Sequence, residues 1–169
     1  RRCAAAVAAR RDSTGGRTGQ RPSERYSRAK TAGLPIIFDV DYRPYSWTSP
    51  QEAEQVLSRA AAASDMIVGN DEEFGFMAGG IDKGLAKARA LSESTATIVV
   101  YKMGEKGAVT FADGQEIHTG IWPVKGLKPT GAGDSFMAGL VTGLAYGQSL
   151  RDAILRGSAC ASITVSRPG

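Results

Sequence analysis

Apolar residues come in short runs separated by polar, small-residue stretches, and the runs alternate in type along the chain. Pro22 to Ala32 reads as the end of a helix stopped by Gly33. Leu34-Pro35-Ile36-Ile37-Phe38-Asp39 is a compact apolar run of the kind that forms a buried parallel strand. A polar and aromatic loop follows from Asp41 to Pro50. Pro50 to Ala63 predicts a helix, with proline in its first turn. Asp65 to Gly69 predicts a second strand, Asp71 to Ala78 and Asp82 to Leu91 two helices parted by Gly79-Gly80, and Thr97 to Tyr101 a third, β-branched strand. Ala108 to Ala112 and Gln115 to His118 flank Asp113-Gly114, a hairpin signal. After a Gly/Pro/Thr loop over Gly126 to Gly133, helices are predicted for Asp134 to Ala145 and for Ser149 to Thr164, with Ser149 as N-cap. Strand–helix alternation with one hairpin predicts an α/β fold built on a mainly parallel sheet flanked by helices.

Length fits this picture: 169 residues can bury a core. No apolar run approaches the roughly 18 residues of a membrane span. Two cysteines, Cys3 and Cys160, are too few for a disulfide framework, so a reducing, cytoplasmic setting is the default. The net charge of +4 invites a nucleic-acid partner, but its distribution argues against one. Residues 1–30 hold nine Arg/Lys against two Asp/Glu, a balance of +7, and residues 31–169 hold twelve against fifteen, a balance of −3. Residues 1–21 are a basic low-complexity leader with six Arg, five Ala and three Gly, and no aromatic side chain interleaves the arginines. The expectation is a disordered leader, or one not native to this domain, such as the product of a frameshifted or misassembled start.

The sharpest chemical signal is Lys128-Pro129-Thr130-Gly131-Ala132-Gly133-Asp134, which runs into Ser135-Phe136-Met137-Ala138-Gly139-Leu140. Glycines at 131 and 133 free backbone N–H groups to approach an anion, and the helix that follows adds its positive end. A carboxylate just inside such a pocket repels phosphate, yet makes sense where it takes a proton from a hydroxyl attacking phosphorus. No Gly-Lys-Ser/Thr follows, so this is not a Walker A loop. From spacing alone, an ordinary helix start with an acidic first turn accounts for these residues equally well.

Lys128 to Val141 resembles the C-terminal signature of the ribokinase-like (PfkB) carbohydrate kinases. The resemblance implies that Gly131, Ala132 and Gly133 form the anion hole for the transferring phosphoryl group, and that Asp134 is the catalytic base. Asn70-Asp71-Glu72-Glu73 resembles the family's Asn-x-x-Glu motif, which implies that Asn70 and Glu73 position Mg²⁺ and phosphate, largely through water. A helix N-cap with acidic first-turn residues is the plainer explanation of the same four residues. Tyr101 to Gly107 resembles the Gly-x-x-Gly loop beside the nucleotide, which implies that Lys102, Gly104 and Gly107 meet ATP, an exposed cation at a strand end being the plainer reading of Lys102. The family resemblance also puts Thr130 on the ATP side and Cys160 near the adenine pocket, a small packed residue being the plainer reading of Cys160. Asp39-Val40-Asp41-Tyr42-Arg43-Pro44-Tyr45-Ser46-Trp47 is similar to the substrate segment of a branch acting on keto-deoxy sugar acids, with Asp41 where that branch has Asn. There Arg43 and Asp41 bind substrate, the guanidinium gripping a carboxylate; a surface arginine stacked on a neighbouring ring is the alternative.

The implied reaction is ATP-dependent, Mg²⁺-assisted phosphorylation of a sugar-acid 6-hydroxyl. The implied acceptor is 5-dehydro-2-deoxygluconate of myo-inositol catabolism, with 2-keto-3-deoxygluconate or another sugar of the same kinase family as alternative. Residues 22–169 then correspond to the C-terminal part of a domain about twice as long, with the N-terminal part and lid missing, and an inactive nucleotide-binding fragment is the rival outcome. A homo-oligomer is compatible with this reading. His118 has no partner at ligand spacing and reads as structural.

Overall fold

The computed structural model describes residues 22–128 and 130–167. The basic leader, Cys3 and Pro129 lie outside the described residues. The described chain divides into two compact units, one of residues 22–102 and 110–116, the other of residues 103–109 and 117–167.

In the first unit, helix α1 (Pro22–Thr31) ends at Gly33, whose φ of 64° lies in the left-handed region that glycine enters most readily. Strand β1 is Ile37–Asp39, shorter than the predicted run. Pro35 has no N–H to donate, and the Ile36 amide donates instead to the Asp65 carboxylate at 2.7 Å. A single 3₁₀ turn, Pro44–Ser46, interrupts the predicted loop. Helix α2 (Pro50–Ala62) begins at Ser49, whose hydroxyl accepts from the Glu52 amide, and buries Ala53, Leu57, Ala60 and Ala61. Strand β2 (Met66–Asn70) leads directly into α3 (Asp71–Met77). A 3₁₀ turn at Ile81–Lys83 precedes α4 (Gly84–Ser94), so the predicted helix starts two residues late. A Cβ on Gly84 would stand 2.9 Å from the Gly75 amide nitrogen, so this start is set by the close approach of α3.

Strand β3 is Ile98–Lys102. It pairs with β2 in parallel, Met66 against Ile98 through Asn70 against Lys102, and β1 pairs with β2 in parallel, Ile37 against Met66 through Asp39 against Val68. β4 (Ala108–Ala112) and β5 (Gln115–Thr119) complete a five-stranded sheet in the order β1-β2-β3-β4-β5. Asp113 and Gly114, with φ of 51° and 71°, make the two-residue turn between β4 and β5, a link that only antiparallel neighbours allow. The sheet is therefore mixed. Phe38, Ile67, Val68, Val99 and Val100 are fully buried, as expected of strands covered on both faces.

The second unit is dominated by α5 (Ala132–Ala145) and α6 (Leu150–Val165). Their axes come unusually close. A Cβ on Gly139 would stand 2.8 Å from Gly157 Cα, and one on Gly143 would stand 2.9 Å from Ala153 Cα. Small residues one turn apart on α5 thus let backbone meet backbone, while Phe136, Leu140 and Ile154 supply the buried apolar surface around the seam. Among the described residues, no helix is long and apolar enough to cross a membrane.

Candidate active site

Three parallel strands bring their carboxyl ends to one edge of the sheet, the place where open α/β sheets hold ligands. Asp41 and Arg43 follow β1, Asn70 ends β2, and Lys102 ends β3 directly beside Asn70 in register. The sequence-predicted residues of the first unit are thus gathered on one edge.

Asn70 is the N-cap of α3. Its Oδ1 accepts from the Glu73 amide at 2.8 Å, and Glu73 Oε2 accepts from the Asn70 amide at 2.7 Å. This reciprocal capping box satisfies two backbone donors at once. The other Glu73 oxygen, Oε1, accepts from the Tyr42 amide at 3.4 Å. The plainer explanation of the Asn-x-x-Glu motif is therefore present in full, and it occupies the very atoms the metal reading wants. Among the described residues no group of three or more His, Cys, Asp or Glu side chains could cage a metal ion. Such a sparse donor set fits an ion that keeps its own waters and takes its remaining ligands from phosphate oxygens, as Mg²⁺ does.

The Asp41 backbone has φ of 26°, in the range that Asn and Asp tolerate best among residues with a side chain. The backbone thus has a use for either residue type at this position. Asp41 Oδ1 holds the Arg43 guanidinium at 2.8 Å, and the arginine side chain remains 56% exposed. Tyr42, between them, stacks its ring on Phe76 of α3 with centroids 3.8 Å apart and planes 16° from parallel. The only described stacked pair at this loop thus involves Tyr42 and leaves Arg43 to Asp41.

In the second unit, Gly104–Lys106 forms a 3₁₀ turn closed by the Met103 amide donating to the Gly107 carbonyl at 2.8 Å. Gly107 has φ of 87°, and any Cβ there would collide with the Thr119 carbonyl oxygen. Helix α5 starts at Ala132, two residues before the predicted Asp134, because Gly131 serves as N-cap with φ of 83°. Ala132 and Gly133 thereby become first-turn residues whose amides have no partner within the helix, and Asp134 is the exposed acid of that turn. Thr130 is exposed in the turn before the cap. Cys160 is a free thiol on α6, facing Gly139 of α5.

Sequence reasoning missed the residues that hold this glycine loop. The Thr164 hydroxyl donates to the Cys160 carbonyl at 3.0 Å, so in its 2.7 Å bond with Ser135 it is the acceptor. The Leu127 amide donates to the Val165 carbonyl at 2.7 Å. The loop is thus tied on both sides to the last turn of α6. No local motif signals these links; the one readable sign was the Gly-x-x-x-Gly spacing of Gly139 and Gly143, which announces a close helix partner. His118 lies on β5, and its backbone carbonyl accepts from Arg151 at 3.1 Å.

A family model described as pfkB family carbohydrate kinase matches residues 23–169. The 5-dehydro-2-deoxygluconokinase of Photobacterium profundum is 39% identical over 144 residues, covering 82% of this chain and 43% of that protein. The enzyme of that name from Shouchella clausii is 34% identical over 143 residues, covering 83% of this chain and 44% of its own length. Among solved structures, aminoimidazole riboside kinase from Salmonella enterica, complexed with aminoimidazole riboside and an ATP analogue, superposes with a TM-score of 0.78 at 25% identity. That match covers 86% of this chain and 50% of the kinase. The chain therefore spans less than half the length of the curated relatives, and its fold is the ribokinase-like one.

Proposed function

Because the chain belongs to the pfkB family of carbohydrate kinases, we propose that it carries the phosphoryl-transfer half of a kinase acting on the 6-hydroxyl of a keto-deoxy sugar acid, 5-dehydro-2-deoxygluconate. The observation that carries this reading is the Asp41–Arg43 pair at the carboxyl end of β1, one strand away from Asn70 and Glu73. A guanidinium in that place suits a substrate carboxylate, and the adjacent Asp41 oxygen suits sugar hydroxyls. The same observation admits 2-keto-3-deoxygluconate as acceptor.

In this reading Arg43 and Asp41 orient the sugar acid. Asp134 accepts the proton of the attacking hydroxyl. The amides of Gly131, Ala132 and Gly133 receive the charge of the transferring phosphoryl group, aided by the positive end of α5. Gly104, Gly107, Thr130 and Cys160 belong to the nucleotide side, and Lys102 offsets triphosphate charge. Asn70 and Glu73 would hold Mg²⁺ through water, and the ion would supply neutralisation of phosphate charge.

The test is ADP release with 5-dehydro-2-deoxygluconate, 2-keto-3-deoxygluconate, ribose and fructose. It is run on this chain and on a chimera that joins residues 22–169 to the N-terminal part of the Photobacterium relative. Acid-dependent ADP release by the chimera supports the reading. Equal rates with ribose, or release without any sugar, sink the acceptor assignment.

A further inference from the structure

The Glu73 carboxylate does two jobs with its two oxygens. One closes the capping box on Asn70, the other takes the amide of Tyr42, 31 residues earlier in the chain. One turn further along α3, Phe76 receives the Tyr42 ring at 3.8 Å and nearly parallel. Positions 73 and 76 lie on one face of the helix, so that face grips residue 42 by its backbone and by its side chain together. Residue 42 stands between Asp41, whose φ of 26° turns the chain, and Arg43, whose guanidinium is held by Asp41 at 2.8 Å. With its amide bonded and its ring stacked, residue 42 restrains the peptide that joins it to Asp41 and anchors the backbone from which Arg43 extends.

We propose that Glu73 and Phe76 are positioning residues that, through Tyr42, set where the Arg43 guanidinium stands and so tune recognition of the sugar acid. This rests on the substrate reading above only for its last clause; the grip on the loop stands independently of it. The motif assigned to metal and phosphate and the loop assigned to the acceptor become one mechanical piece. Disturbance of α3 at Glu73 or Phe76 then reaches the acceptor side, while the nucleotide side is spared at Phe76.

The experiment has two arms on the 169-residue chain. In the first, NMR follows hydrogen exchange of the Tyr42 amide and the Arg43 Nε–H resonance in wild type, Phe76→Leu, Glu73→Gln and Tyr42→Phe. Phe76→Leu and Glu73→Gln should speed Tyr42 exchange and average the Arg43 signal, whereas Tyr42→Phe, which keeps the stacked ring, should retain both. Unchanged Arg43 and Tyr42 signals in Phe76→Leu overturn the proposal. So does faster exchange spread evenly over β2 and α3, which would mean general loosening. In the second arm, 2-keto-3-deoxygluconate and Mg-ATP are titrated by calorimetry. Phe76→Leu should weaken sugar-acid binding by about tenfold, since misplaced groups lose their alignment, with Mg-ATP affinity unchanged and Tyr42→Phe close to wild type. Equal weakening of both ligands, or of neither, overturns the coupling. If wild type binds Mg-ATP and no sugar acid while the first arm succeeds, the acceptor reading fails and the grip on Arg43 stands.

Discussion

Thr110 offers the cleanest test of the energetics. It lies in β4, where all five residues are buried, and it is itself fully inaccessible. Its hydroxyl has no hydrogen-bond partner among the described residues. In the unfolded chain that hydroxyl is bonded to water, so folding strips it without compensation, at about 1–3 kcal/mol. Thr110→Val exchanges the hydroxyl for a methyl group while keeping the β-branch, so rotamer restriction and strand preference hardly change. The added buried methyl contributes about 0.8 kcal/mol where it fits. The expected result is a stabilisation of about 1–3 kcal/mol, which at 2–4 °C per kcal/mol raises Tm by roughly 2–12 °C. Urea unfolding followed by far-ultraviolet circular dichroism and by tryptophan fluorescence measures it. The two probes should give coincident transitions, and the midpoint should rise at constant m-value. Thr110→Ser keeps the stripped hydroxyl and loses a methyl, and should cost about 1 kcal/mol. A lower midpoint for Thr110→Val would refute the reasoning, because it would mean that the hydroxyl is paid for by a bond.

Gly139→Ala places a methyl 2.8 Å from Gly157 Cα and 2.9 Å from the Arg156 carbonyl oxygen. Backbone cannot yield as a side chain can, so an overpacking cost of about 1–3 kcal/mol should outweigh the gain of nearly 1 kcal/mol in helix propensity, and the urea midpoint should fall. Asp134→Asn in the chimera should lower turnover by about 10²-fold or more while ATP affinity, read by calorimetry, holds; near-normal turnover removes Asp134 as base. Burial, and secondarily the Asp71 carboxylate, push the Tyr101 phenol above its ordinary value of about 10. The fold thus favours the neutral phenol. Its contribution is complete below about pH 10 and is lost as pH climbs through the raised folded-state value, so urea midpoints should fall more steeply above pH 10 in wild type than in Tyr101→Phe.

Most elements could be read from local pattern because their causes are local. Ser49 and Ser149 cap their helices, Gly33 stops α1, and Asp113-Gly114 turns the hairpin, each through atoms within a few residues. Where expectation and structure part, the cause is tertiary, a single missing donor or, at α5, the backbone of one glycine. β1 begins late because Pro35 cannot join a ladder, and α4 begins late because Gly84 meets the backbone of Gly75. α5 begins early because Gly131 adopts a conformation that makes it a cap. The candidate site follows the same division. Asn70 and Glu73 declared themselves by spacing, since a capping box spans one helical turn. Tyr42 on Phe76 and Ser135 on Thr164 did not, since they join residues about thirty positions apart and no short pattern records such a pair.

The links between the glycine loop and the end of α6 also order events in time. Leu127 is bonded to Val165 and Ser135 to Thr164. A ribosome adding roughly 5–20 residues per second makes Val165 about 2–8 s after Leu127. For most of that interval the loop has been synthesised but lacks the residues that fasten it. A chain stalled anywhere between Ser135 and Thr164 would carry every residue of the loop and none of its moorings.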